Sequence, residues 1–209
     1  MNIHSVAPIA TLRTAESLRA GKRDAILRAA TDVFAERGYF NAQVADVARA
    51  AGIAAGTVYL YFRSKDDLLV SIFERTVKER LADGRAAVAG ISDPAERLRR
   101  FARLHLGMLG RDRNLAIVFQ VELRQSIKFM ERFSSTLLRE YLGQIRAAIE
   151  DGQKSGLFRK DLNATSVAKV FFGALDEMAT NWILSRRRYP LESDADTVVD
   201  IFLDGARAR

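Results

Sequence analysis

Few residues of this 209-residue chain have the type and spacing for covalent chemistry. There is no cysteine, so a disulfide framework, thiol catalysis and a cysteine-based zinc site are excluded. The two histidines, His4 and His105, are too few for a histidine metal centre, and His105 reads as a core or pocket residue. Asp176 and Glu177 are adjacent, and neighbours on a helix point different ways, so they do not form an acid–base pair. No glycine loop of the phosphate-cradling kind and no nucleophile motif is present. An enzyme is the weaker reading, and no cofactor or metal is expected. One stretch does offer chemistry. Thr57, Tyr59, Tyr61 and Lys65 supply hydroxyls and an ammonium, and Ala55 and Gly56 between them are small. Outward tyrosines on a short helix can donate to phosphate, and small residues let a bulky polyanion approach. That chemistry is recognition without covalent change.

The elements that must position these residues lie between Val44 and Leu68. Two short helices, about Gln43–Ala51 and Ala54–Tyr61, flank Gly52, where the chain must turn sharply. Ala48 is small enough for the helices to cross closely. Val47, Ala51, Ile53, Val58 and either Tyr61 or Phe62 supply the inner faces. A preceding helix, from about Lys22 to Arg37, carries Ile26, Leu27, Ala30, Val33 and Phe34 on one stripe and stops at Gly38. This is the pattern of a helix-turn-helix whose second helix enters the DNA major groove. Spacing alone also permits a plain helical hairpin. The second helix has no Arg, Lys, Asn or Gln, the side chains best suited to reading base edges in pairs. Sequence preference would then rest on thymine-methyl contacts, on Gln43 with its neighbour Val44, and on DNA shape.

The run Gly56-Thr57-Val58-Tyr59-Leu60-Tyr61-Phe62, followed by Ser64-Lys65-Asp66-Asp67-Leu68, resembles the signature of TetR-family transcriptional regulators. Ala29, Ala30, Phe34 and the turn Glu36-Arg37-Gly38-Tyr39 match as well, so the resemblance spans about residues 23–73. It implies a DNA-binding head. In that family the positions of Tyr59, Tyr61 and Lys65 touch the DNA backbone, and those of Ala55 and Thr57 sit where base or phosphate contacts are made.

The rest of the chain reads as all-α, with three prolines and about nine helices in total. No apolar run reaches the roughly 20 residues that cross a bilayer. Residues 1–21 lack the basic start of a signal peptide and read as a flexible arm whose Arg13 and Arg19 can reach phosphates. A cytoplasmic protein with no membrane partner is expected. The net charge is +7, but residues 1–70 carry nine Lys/Arg against seven Asp/Glu, while residues 71–151 carry fifteen against eleven. The basic excess therefore sits outside the DNA-reading stretch. Ser64 starts a long helix that leaves the head without a flexible linker. Ser92-Asp93-Pro94 starts the next. Leu115–Ser126 reads as a buried helix whose Gln120, Glu122, Arg124 and Gln125 need partners or a cavity. A long amphipathic helix covers about 128–154, and another carries Val167 to Ile183, with Arg186-Arg187-Arg188 closing it. The last helix runs from about Asp194 to Ala206. These last two carry more apolar width than one core contact needs, which suits a four-helix dimer interface.

Asn114 to Val118, Gln120 to Gln125, Gly173 to Glu177 and Trp182 resemble the TetR-type FadR regulators of fatty-acid degradation. That resemblance implies a long-chain acyl-coenzyme A effector, with a greasy tunnel and a basic mouth. Leu104, Met108, Phe119, Gln120, Phe133, Leu137, Phe172, Met178 and Trp182 are the tunnel candidates, and Arg103, Arg111, Arg113 and Arg124 the phosphate candidates. The expected organisation is an arm (1–21), a three-helix DNA-binding domain (22–68) and a helical ligand-binding and dimerisation domain (69–209). The expected function is a repressor of fatty-acid degradation genes. It binds a palindromic operator on double-stranded DNA as a homodimer through the last two helices, and long-chain acyl-CoA releases it. The rival reading is a multidrug-efflux repressor induced by hydrophobic or cationic compounds.

Overall fold

The helical periodicities become nine α-helices and two short 3-10 turns among the described residues of the computed structural model, namely 9–125, 131 and 136–207. No β-strand occurs among them, and Phe158 and Arg207 form one isolated antiparallel bridge. The chain divides into two compact units, residues 1–72 and 73–209. The division falls inside a helix, a turn past the expected break at 68/69.

The first unit contains α1 (Ile9–Arg37), α2 (Val44–Ala50), α3 (Ala55–Tyr59) and the start of α4 (Lys65–Val88). The flexible arm expected over 1–21 is therefore helical from Ile9 onward. Ala15, Glu16, Leu18, Arg19 and Ala20 are strong helix formers, and Pro8 immediately precedes the first turn. His4 and the side chain of Arg13 lie outside the described residues. Ile26, Leu27, Ala30, Val33 and Phe34 of α1 are buried against Val47 and Ala48 of α2, Val58 of α3 and Leu68, Leu69 and Ile72 of α4. Phe62, at 2% exposure, and not Tyr61, completes that core. Gly38 and Gly52 adopt φ of 75° and 68°, a left-handed conformation that a side chain strains, so both turns need glycine.

The second unit contains the rest of α4, α5 (Pro94–Arg111), α6 (Arg113–Gln120), α7 (Thr136–Lys154), α8 (Ala164–Leu184) and α9 (Asp194–Ala206). Asp93 caps α5 by accepting from Ala95 N–H at 3.0 Å, with Pro94 in the first turn. The single buried helix expected over Leu115–Ser126 is two pieces. α6 stops at Gln120, Val121 leaves the helix geometry at φ −115° and ψ −63°, and a 3-10 turn follows over Glu122–Gln125. Across that break Gln120 and Arg124 both reach Asp176 on α8. The expected start of α7 near Lys128 falls on residues that are not described, as do Phe129 and Phe133. α8 ends at Leu184 with an extended Ser185, so Arg186–Arg188 follow the helix instead of forming its last turn. Arg99 and Arg103 tie α5 to α9 through Asp196 and Asp200, Arg103 binding Asp196 in a two-pronged pair at 3.1 and 2.9 Å.

Candidate nucleic-acid interface and ligand cavity

In the first unit, short-range chemistry fixes the geometry of the helix pair. Gln43 precedes α2, and its N–H donates to Asp46 Oδ2 at 3.0 Å. Arg37 and Arg49 flank that carboxylate at 2.9 and 3.1 Å. The Gln43 N–H and the two guanidiniums hold Asp46 below the usual carboxylate range. Ser64 accepts from Asp67 N–H at 3.1 Å and so caps α4, while Asp67 Oδ2 accepts from Arg63 N–H at 2.9 Å.

The surface of α3 then presents Ala55, Gly56 and Tyr59 outward, with Gln43 exposed beside them and Val44, Thr57 and Tyr61 half-buried. Tyr59 is 57% exposed. Gly56 has helical φ, and a Cβ added to it would meet no atom within 4 Å. Its own fold therefore does not require glycine. An exposed glycine in a helix costs about 0.5–1 kcal/mol relative to alanine. The Arg19 guanidinium lies 6.0 Å from the Tyr61 ring, and the Arg23 guanidinium 5.0 Å from the Phe62 ring.

Lys65 stands apart from the other expected contacts. Its Nζ donates to the carbonyls of Tyr39 at 2.7 Å, Phe40 at 3.2 Å and Ala42 at 2.9 Å. It also lies 4.5 Å from the Tyr39 ring centroid, and the Tyr39 hydroxyl donates to Asp66. An ammonium has three donors, and all three are engaged. Lys65 ties the α1–α2 turn to the start of α4 in this structure. Phe40 and Leu60 are 63% and 72% exposed on this unit.

The second unit contains a cavity with about 450 Å³ of free space, partly open to solvent. Met108, Phe119, Gln120, Arg124 and Phe172, all expected, line it together with Phe73, Val77, Leu109 and Leu138. Leu104 lines a smaller neighbouring cavity with Phe101, Arg80 and Tyr141. Leu137, Met178 and Trp182 line neither, and Phe133 is outside the described residues. Trp182 is buried, with Nε1 donating to the Tyr189 carbonyl at 2.9 Å.

The four arginines expected at a basic mouth do not converge. Arg103 is paired with Asp196. Arg113 donates to the Trp182 and Ile183 carbonyls and stacks 5.3 Å from the Trp182 ring, closing the end of α8. Arg111 is exposed at the end of α5. Only Arg124 reaches the cavity, where it pairs with Asp176 at 2.5 Å. Gln120 donates to the same carboxylate at 2.8 Å and accepts from Thr180 at 3.2 Å. Expected only as a core or pocket residue, His105 pairs with Tyr141, its Nδ1 2.9 Å from the tyrosine hydroxyl on the cavity wall. Burial pushes the His105 imidazole down to about 4, against the opposing pull of Asp176, and pushes the Tyr141 hydroxyl up. Both are therefore neutral near pH 7. A second, open groove of about 940 Å³ lies between α7 and α8 and carries Arg139, Arg146 and Lys169 beside Leu142, Gly143 and Ala168. Leu138 lines both the cavity and the groove.

A family model of bacterial regulatory proteins, the tetR family, matches residues 26–72, and a model of the YsiA-like C-terminal region matches residues 73–205. The chain belongs to the TetR family of transcriptional regulators. It is a DNA-binding regulator and not an enzyme. It is 32% identical over 180 residues to the fatty acid metabolism regulator protein of Bacillus subtilis, covering 86% of this chain and 93% of the relative. Among solved structures it is similar to the fatty acid degradation regulator FadR from Bacillus halodurans, with a TM-score of 0.85 and 36% identity over 90% of this chain and 97% of that one. FadR from Bacillus subtilis, solved in complex with stearoyl-CoA, gives a TM-score of 0.82 and 31% identity over 87% and 97% of the two chains. The TetR-family helix-turn-helix assigns α2 and α3 to the DNA-reading pair, and both lie within the matched head.

Proposed function

We propose that this regulator represses fatty-acid degradation genes and that a long-chain acyl-CoA binding in the second unit releases it from DNA. The observation that carries the reading is that Leu138 lines two unlike spaces, an apolar cavity and an open groove with three cations. An acyl-CoA has the same two halves, a long apolar tail and a polyanionic nucleotide. The tail belongs in the cavity and the phosphates on Arg139, Arg146 and Lys169, which replace the dispersed arginines expected from the sequence. The B. subtilis FadR structure with stearoyl-CoA supports the ligand class. A cationic drug fits less well. Asp176 is the carboxylate lining the cavity among the described residues; Arg124 already neutralises it and Gln120 hydrogen-bonds it.

The working form is a homodimer. Val170, Leu184 and Ile201 are 67%, 73% and 71% exposed on α8 and α9, with Gly173 and Ala174 exposed between them. Two such helix pairs related by a twofold axis form a four-helix interface that buries these side chains. The dimer sets two α3 helices about 34 Å apart to fit a palindromic operator. Ligand favours a second state in which that spacing fails, and α4, which carries residues of both units, transmits the change. The ligand shifts the equilibrium only by its differential affinity for the two states. The site of action is the cytoplasm, where the DNA is.

A gel-shift titration tests this. Long-chain acyl-CoA is expected to release DNA, while free CoA and free fatty acid at the same concentration do not. Release by hydrophobic cations with no effect of acyl-CoA overturns the reading.

A further inference from the structure

Two residues lining the cavity of the second unit carry buried donors for which the described residues offer no acceptor. His105 Nε2 and Arg80 Nε are both shielded and have no hydrogen-bond partner, and both residues line the cavity. His105 itself is 6% exposed. Its other nitrogen, Nδ1, is 2.9 Å from the Tyr141 hydroxyl. If Tyr141 donates to Nδ1, the proton of the neutral imidazole sits on Nε2. If instead Nδ1–H donates to Tyr141, the tyrosine proton and the Nε2 lone pair are both left without partners. The first arrangement leaves fewer groups unsatisfied, so Nε2–H is a donor.

The other charged groups of this cavity wall are accounted for. Arg124, Gln120 and Asp176 bind one another, and the Arg80 terminal nitrogens approach Asp83 and Glu79 at 2.9 and 3.9 Å. Buried donors in folded proteins are nearly always paired, and an unpaired one costs more than a typical hydrogen bond contributes. An all-alkyl chain leaves both donors unpaired. An oxygen on the chain does not.

We infer that His105 Nε2–H, with Arg80 Nε as a second donor in the same cavity, binds an acceptor oxygen carried near the head of the acyl chain. This rests on the acyl-CoA reading and refines it: the cavity distinguishes chains by where they carry oxygen. The placement agrees with the path of the ligand. Leu138 lines both the cavity and the basic groove, and Tyr141, the partner of His105, follows one turn later on α7. A chain entering past Leu138 brings its first few carbons to this pair. The oxygen is either the thioester carbonyl or a hydroxyl on the third carbon, and both present the same acceptor chemistry.

The test compares three ligands on the full-length protein by calorimetry: stearoyl-CoA, its S-octadecyl thioether analogue without a carbonyl, and 3-hydroxystearoyl-CoA. The wild-type chain is expected to bind an oxygenated ligand about tenfold tighter than the ligand lacking that oxygen, which is ~1.4 kcal/mol. Stearoyl-CoA above the thioether assigns the carbonyl, and 3-hydroxystearoyl-CoA above stearoyl-CoA assigns the hydroxyl. His105→Phe is expected to erase the preference while still binding the thioether. Equal affinities in the wild type, or a preference that survives in His105→Phe, overturn the inference and leave the acyl-CoA reading standing. If none of the three binds the wild type, both fall. Nitrogen-15 histidine spectra of the wild-type chain give a check that needs no variant. The His105 Nε2 resonance is expected to move with the oxygenated ligand and not with the thioether, and no movement with either overturns the inference.

Discussion

The two units solve opposite problems with the same helical material. In the DNA-reading unit, polar groups are closed onto one another: Lys65 onto three carbonyls, Asp46 onto Gln43 and two arginines, Asp67 and Ser64 around the start of α4. In the sensing unit, donors are left open beside a cavity, and the polar contacts that exist join distant elements. A groove reader must hold its recognition helix at a fixed angle, so closure serves it. A sensor must gain something when ligand arrives, so unsatisfied donors and empty volume serve it. Binding free energy can shift a two-state equilibrium only where the free state leaves interactions unmade.

The largest expected effect tests the closed half of this contrast. Lys65→Met removes a donor from three backbone carbonyls and is expected to destabilise the DNA-reading unit by about 2–4 kcal/mol. Circular dichroism in denaturant is expected to show the loss. The salt dependence of DNA binding by the remaining folded protein should be unchanged, because no phosphate contact was lost. A shallower salt slope would restore Lys65 to the phosphate contacts.

The open half is tested by pH. The folded His105 imidazole is held at about 4, whereas an unfolded histidine titrates near 6.5. Between those values the unfolded chain binds the proton and the folded chain does not. Stability from this group is therefore complete above about pH 6.5 and is lost as pH falls toward 4, by up to ~3 kcal/mol. Unfolding measured at pH 7.5 and 5 is expected to show a clear fall in the wild type and a smaller one in His105→Phe. An identical fall in both removes His105 as the cause.

A smaller effect separates reading from folding within the first unit. Gly56→Ala places a methyl group in open space and improves helix propensity, so stability is expected to rise by about 0.5–1 kcal/mol while DNA affinity drops. A rise in both would mean that nothing approaches Gly56. The smallest effect is that of Tyr59→Phe. It leaves stability unchanged and weakens binding a few-fold on every DNA sequence, because the hydroxyl contacts backbone and not bases. Fluorescence anisotropy on specific and random duplexes checks this.

The same contrast explains what was legible in the sequence. The DNA-reading unit is specified by signals a few residues apart: Gly38 and Gly52 at left-handed turns, Ser64 as a cap, and the apolar stripe from Ile26 to Phe34. Its helices were readable almost to their ends, except that α1 begins at Ile9 and not near Lys22. The role of Lys65 was not, because its three acceptors lie 23 to 26 residues earlier in the chain and outside its own helix. In the sensing unit the helices were legible and the site was only partly so. Met108, Phe119, Gln120, Arg124 and Phe172 were found as cavity residues because apolar width and buried polarity show in periodicity. His105 with Tyr141, and Arg124 with Asp176, are 36 and 52 residues apart, and no local pattern says which distant polar groups meet. The arginines chosen for the phosphates failed to converge for the same reason. Arg103 and Arg113 carry the right charge, but they close α9 onto α5 and cap the end of α8.

The central claim is that DNA and acyl-CoA compete through two states of one protein. Linkage makes this measurable from the ligand side, since each must weaken the other by the same factor. Stearoyl-CoA affinity should be measured with and without a saturating operator duplex. The account predicts that DNA weakens stearoyl-CoA binding by the factor with which stearoyl-CoA weakens DNA binding. Equal stearoyl-CoA affinity for the free protein and the DNA complex would contradict it.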